Sequence, residues 1–203
     1  MDKVFPPCDK CCMARLFVIS HPDVTIDPLT PVERWRLSDL GIARMRQFAG
    51  SPVLDGVTAV WASTEAKAIE AAGLLAARFG IGVAVERDLG ENDRRATGFL
   101  PPDEFESVAD AFFANPASNV RGWESAVDAQ VRVRKAAERI LAQHGVGDIA
   151  IVAHGAVGTL LLCSYLGLPI SREFDQPFQG HYWTATLPDL AVQHRWRPIA
   201  PRS

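Results

Sequence analysis

Apolar positions along the chain follow two alternating patterns. Short continuous runs rich in Val and Ile occur at Ala14–Ile19 (ARLFVI), Val57–Trp61, Gly82–Val85 and Ile149–Ala153, and they read as buried strands. Between them lie stretches of helical period. Leu37–Ala49 places apolar side chains at 37, 40, 45 and 48. Thr64–Phe79 is a second helix, opened by Ser63 or Thr64 as N-cap and closed by Gly80. Asp103–Ala114 predicts a short helix. Trp123–Gln143 predicts a long one, with Val127, Val131, Ala137, Ile140 and Leu141 on one face. Another follows Ile149–Ala153 and runs to about Leu166. His181–Leu187 and Ala191–Trp196 read as a hairpin turning at Pro188-Asp189. Residues 88–102 are polar and punctuated by Gly and Pro. Strands alternating with helices predict an α/β fold. The expected form is a three-layer sandwich, a mainly parallel sheet with helices on both faces and the hairpin at one edge. A loop and helix insertion spans about 88–120.

Composition narrows this picture little. At about 150 residues per domain, a 203-residue chain fits one domain, 14–203, behind an N-terminal extension, 1–13. Hydrophobic residues at 48% and charged residues at 22% exclude disorder as the main state. A net charge of -3 gives no reason to expect nucleic acid or an anionic membrane as partner. Residues 149–170 lack Asp, Glu, Lys and Arg, but His154, Gly155, Gly158, Gly167 and Pro169 interrupt them. They read as strand, turn and buried helix, not as a membrane span. The opening MDKVFPPCDKCC has no long apolar run of the secretory kind, so a cytoplasmic protein is expected. Cys8, Cys11 and Cys12 cluster there without downstream Cys/His partners at metal-site spacing, so a flexible extension is expected and no metal.

Open α/β sheets bind ligands beyond the carboxyl ends of their strands. After the first strand stands Ser20-His21-Pro22-Asp23, and after the second Ala62-Ser63, with Lys67 in the first turn of the next helix. After the third comes Glu91-Asn92-Asp93-Arg94, and after Ile149–Ala153 comes His154-Gly155. Two imidazoles, an ammonium and carboxylates would thus meet at one edge. A cation in a first helical turn opposes the helix dipole, so a bound anion would give Lys67 a purpose. Such a set suits phosphoryl transfer. A neutral imidazole can attack phosphorus, and a second can donate to a phosphate oxygen. A carboxyl group can protonate the leaving alcohol and then activate water. A cation and helix N-terminal N–H groups stabilise the spread charge, with no metal or other cofactor needed.

The order of these landmarks resembles the histidine phosphatase superfamily, also called phosphoglycerate mutase-like, over roughly residues 14–187. Leu37-Ser38-x-x-Gly41 is similar to its "LT-x-x-G" helix start, and Ala62-Ser63-Thr64-Glu65-Ala66-Lys67-Ala68 to its "SSPLxRA". Val152-Ala153-His154-Gly155 is similar to its "VxHG", and Gly122-Trp123-Glu124-Ser125 to its "GES" segment. The resemblance implies His21 as phosphorylated nucleophile, His154 as second pocket histidine and Glu91 as general acid and base. Lys67 falls where the family has a phosphate-binding arginine. Ser20, Arg94 and Gly155 complete the expected phosphate site.

The chain departs from that pattern at its most charged points. Ser20-His21-Pro22 replaces Arg-His-Gly, and Lys67 lacks the bidentate fork of arginine. Asp27 stands near a position where many members have a phosphate-contacting Asn, and a carboxylate there would repel an anion. Losing one charge-assisted contact in a dry site costs about 3–4 kcal/mol, or about 10²–10³ in rate. Arg94 and Arg95 are candidate substitutes, with Arg34 and Arg36 weaker ones. The expected function is a metal-independent phosphomonoesterase acting on a small phosphorylated metabolite or phosphoprotein. The alternative is a catalytically impaired or inactive member of the same fold, a binding protein that keeps the pocket for a less charged ligand. A mutase fits poorly, because a second phosphate needs more cations. His181 reads as an interior or edge position within reach of the same edge, His144 and His194 as surface positions, and the scattered Trp residues as core or groove walls.

Overall fold

A computed structural model describes residues 13–202. Cys8, Cys11, Cys12 and the expected extension up to residue 12 lie outside the described residues. Six strands form one sheet: β1 (Arg15–Ser20), β2 (Val57–Ala62), β3 (Val83–Val85), β4 (Asp148–Ala153), β5 (His181–Thr186) and β6 (Ala191–Pro198). Their order is β3-β2-β4-β1-β5-β6. The first four are parallel, while β5 and β6 run antiparallel at one edge, as the hairpin pattern predicts. Among the described residues, five α-helices accompany them: α1 (Asp39–Ala49), α2 (Ala66–Phe79), α3 (Pro102–Ala114), α4 (Ala126–Gln143) and α5 (Gly155–Leu166).

Each central strand is apolar on both sides because helices cover both faces. Along β1, Leu16 and Val18 enter the core under α3, α4 and α5, while Phe17 and Ile19 enter the core under α1 and α2. β4 divides in the same way, with Ile149 and Ile151 on one face and Ala150 and Val152 on the other. This period of two makes the register specific, because a one-residue slip would exchange the faces.

Sequence and structure differ at three helices. The N-cap of α2 is Glu65, without a side-chain cap bond. Ser63, an expected cap, is committed elsewhere: its Oγ lies 2.7 Å from His154 Nε2. Helix α4 begins at Ala126 behind a Ser125 cap, and Trp123 is buried outside it, donating to Thr97 Oγ1 at 2.9 Å. Val127 and Val131, expected inside, are exposed at 41% and 38%. The buried stripe is Ala126, Ala129, Val133, Ala136, Ala137 and Ile140, whose small residues let α4 lie close against α5. At α3 the helix starts at Pro102 instead of Asp103, and it enters the core through Val108, Phe112 and Phe113.

Candidate active site

Strand register builds the site. Ser20 lies opposite Ala153 and Ala62 opposite Val152, so His21, Ser63 and His154 leave the sheet together. Two bonds carry the ladder past the strand ends: His21 N–H donates to the Ala153 carbonyl at 3.1 Å and Ser63 N–H to that of Val152 at 3.2 Å. The imidazoles of His21 and His154 face each other edge to face, with centroids 5.2 Å apart.

His21 Nδ1 is 2.9 Å from the Pro22 carbonyl. A carbonyl only accepts, so Nδ1 carries the proton and Nε2 keeps its lone pair. Burial, reinforced by His154 and Lys67, lowers the His21 pKa to about 3, so the ring is neutral at pH 7. His154 is fully buried, and burial lowers its pKa to about 4 against the opposing pull of Glu65.

Glu65 is the residue sequence reasoning missed. It stands where the family pattern has leucine, yet its carboxylate is buried beside Lys67 and His154. It pairs with Lys67 Nζ, lies 3.2 Å from His154 Nε2 and accepts the Glu91 N–H at 2.9 Å. Burial pushes this carboxyl up, and His154 and Lys67 more than offset it, so it stays below the usual carboxylate range. An ionised carboxylate only accepts, so His154 Nε2 carries the proton and directs it to Glu65 and Ser63. That donor is therefore not available for a phosphate oxygen, contrary to expectation. His154 Nδ1 has no partner among the described residues.

The remaining expected residues divide into two groups. Lys67, Glu91, Arg94 and Gly155 line one cavity of about 390 Å³ together with His21. Glu91 closes the α5 N-terminus, accepting from Val157 N–H at 3.1 Å and Ala156 N–H at 3.3 Å. Gly158 N–H is taken by the His154 carbonyl, and Gly155 lines the cavity. A Cβ on Gly155 would lie 2.5 Å from Gln176 Nε2. Arg94 lies over the rings of Phe105 and Trp123 at 5.1 and 5.5 Å.

Ser20 does not line the cavity. Its hydroxyl donates to Gln176 Oε1 and accepts the His181 N–H at 3.0 Å, and Gln176 reaches the cavity in its place. Asp27 is exposed and turned away, accepting from Thr30 Oγ1 at 2.6 Å and Leu29 N–H at 3.0 Å. The anticipated repulsion at that position is absent. Arg95 pairs with Asp93 at the surface, and Arg34 and Arg36 are exposed.

Behind the first histidine lies a second group the sequence did not reveal. Arg44 of α1 is 2% exposed. It pairs with Asp23 Oδ2 at 2.5 Å and donates to the carbonyls of Gln179, Gly180 and Ala200. Asp23 Oδ1 is held by Arg202 at 2.8 Å. Gly41, in the predicted helix-start motif, lets α1 approach this loop: a Cβ there would meet the Asp23 carbonyl at 2.1 Å.

A sheet of this order, with two imidazoles at its carboxyl edge, is the fold of a known enzyme class. The family model of the histidine phosphatase superfamily (branch 1) matches residues 31–186, and the chain belongs to that family. The match takes in Lys67, Glu91 and His154 and begins after His21. Mycobacterial glucosyl-3-phosphoglycerate phosphatase shares the fold at a TM-score of 0.73 and 20% identity, over 91% of this chain and 96% of that one. Bacillus stearothermophilus YhfR does so at 0.75 and 17%, over 93% and 98%. A phosphoserine phosphatase from Entamoeba histolytica does so at 0.73 and 14%, over 92% and 98%. No curated protein matches the chain in sequence. Among the described residues, no helix is long and apolar enough to cross a membrane.

Proposed function

We propose that this protein is a phosphomonoesterase that works through a phosphohistidine on His21 without a metal ion. The observation that carries this reading is the bond between His21 Nδ1 and the Pro22 carbonyl, which leaves Nε2 unprotonated at the cavity wall. In the first step the Nε2 lone pair forms a bond to phosphorus while the bond from phosphorus to the alcohol oxygen breaks. Glu91, in its acid form, gives that oxygen a proton. In the second step a water oxygen attacks the phosphorus and the P–N bond breaks. Its proton returns to Glu91, restoring both groups. The Gly155 N–H, Lys67 and Arg94 stabilise charge on the other phosphate oxygens. Family membership supports the reading, as do similar folds solved with inorganic phosphate and with phosphoserine.

A panel of phosphomonoesters, from an aryl phosphate to sugar phosphates and phosphopeptides, tests this in the presence of chelator. Wild type is expected to turn over at least one, and His21→Ala none. Turnover surviving in pure His21→Ala protein removes His21 as nucleophile. One observation favours a second reading, a binding protein for a less charged ligand without turnover: Lys67 is already neutralised by Glu65. Weak phosphate binding with no turnover across the panel would select it.

A further inference from the structure

The cleft holds more negative charge than a site for a doubly charged ligand can use. Six charged side chains line the cavity beside His21: Lys67, Arg94, Arg172, Glu91, Glu106 and Asp175. Arg172 is taken by Glu106 and Asp110. Lys67 is taken by Glu65, a further carboxylate 7% exposed directly behind it. Arg132, behind the Glu91 backbone, is taken by Glu124 at 2.7 Å. Only Arg94, among the described residues of this wall, has no carboxylate partner, and Glu91 stands near it on the same loop. Burial pushes Asp175 up, but even a neutral Asp175 leaves Lys67 paired with Glu65 and Arg172 with Glu106, so Arg94 is the cation of this described wall left to face a ligand.

From this geometry we propose that Glu65 is a specificity-determining residue that makes the site select singly charged phosphoryl groups over doubly charged ones. The proposal rests on the phosphatase reading for its ligand class. Its electrostatics concern binding alone. A second negative charge brought next to Lys67 lies within reach of the Glu65 carboxylate, and unit charges in such a partly buried setting shift affinity by about tenfold or more. Glu65 thus acts by cancelling Lys67.

Titration calorimetry with inorganic phosphate and with sulfate tests this on the intact chain. Phosphate carries mostly one charge at about pH 5.5 and two at about pH 8, while sulfate carries two at both. Neither His21 nor His154 changes charge across that window, because burial holds their pKa values at about 3 and about 4. Wild type is expected to bind phosphate about tenfold or more weakly at the higher pH, and sulfate weakly at both. Glu65→Gln is expected to gain about tenfold or more for sulfate and for phosphate at the higher pH. Sulfate binding as tight as that of singly charged phosphate in wild type overturns the proposal, and this arm needs no variant. So does a folded Glu65→Gln protein with unchanged sulfate affinity. Charge-selective binding without turnover would uphold Glu65 and refute the phosphatase reading. Turnover with charge-blind binding would do the reverse.

Discussion

Arg44→Met removes a buried cation while keeping most of its volume. The guanidinium donates to Asp23 Oδ2 and to the carbonyls of Gln179, Gly180 and Ala200. It also lies 5.4 Å over the Phe178 ring. The variant leaves a buried carboxylate and three carbonyls without this donor. Removing one partner of a buried pair costs about 3–5 kcal/mol. Arg202 still holds Asp23 Oδ1, which places the cost toward the lower end of that range. For a chain of this size, about 3 kcal/mol lowers the melting temperature by roughly 6–12 °C. Burial pushes the Asp23 carboxyl up, and the hydrogen bond and charge of Arg44 more than offset this, lowering its pKa from 3.8. A depressed carboxylate contributes stability above its unfolded pKa, and that contribution is lost as pH falls through the folded value. The gap between wild type and variant should therefore be full near neutral pH and shrink below about pH 4. Calorimetric or circular-dichroism melts of both proteins over that range measure it. A loss under about 1 kcal/mol at neutral pH would refute the view that Arg44 ties the loop after β1, the Gln179–Gly180 segment and the C-terminal residues together.

Three further outcomes follow from the same geometry. His21 and His154 are buried neutral, with pKa values lowered from 6.5 to about 3 and about 4. Below pH 6.5 the unfolded chain binds protons the folded one refuses, so melting temperature should fall between about pH 6.5 and 4, and His21→Gln should flatten that slope. Gly155→Ala brings a methyl group within 2.5 Å of Gln176 Nε2, displacing the amide at the cavity that Gly155 and Gln176 both line. Stability should change by under about 1 kcal/mol while kcat/KM falls about tenfold or more; equal kcat/KM would show that Gln176 moves without consequence. Phe112→Ala in α3 should cost about 3–5 kcal/mol in denaturant unfolding, whereas a peripheral insertion would lose less than about 1 kcal/mol.

The alternation of Val- and Ile-rich runs with helical periods made the layers and the edge hairpin legible. It also brought His21, Lys67, Glu91 and His154 to one edge, since strand ends and ligand edges coincide in such sheets. Charge pairing was not legible, because spacing along the chain does not reveal which buried cation meets which carboxylate. Asp23 and Arg44 are contacts between a loop and a helix face. Glu65 appeared in the sequence only as one position of the Ala62–Ala68 motif, yet the turn into α2 aims it inward at Lys67 and His154. The exposed Val127 and Val131 show the opposite failure. Their apolar character suggested burial, but the alanines of α4 fit the close approach to α5.

The central claim is that His21 Nε2 takes the phosphoryl group. Rapid acid-free quench of turnover, followed by mass spectrometry of the proteolysed chain, tests it most directly. The account predicts one phosphoryl group on the peptide containing His21, labile to acid, stable to base and absent from His21→Ala. Turnover without a phosphorylated intermediate, or with phosphate on another residue, would contradict it.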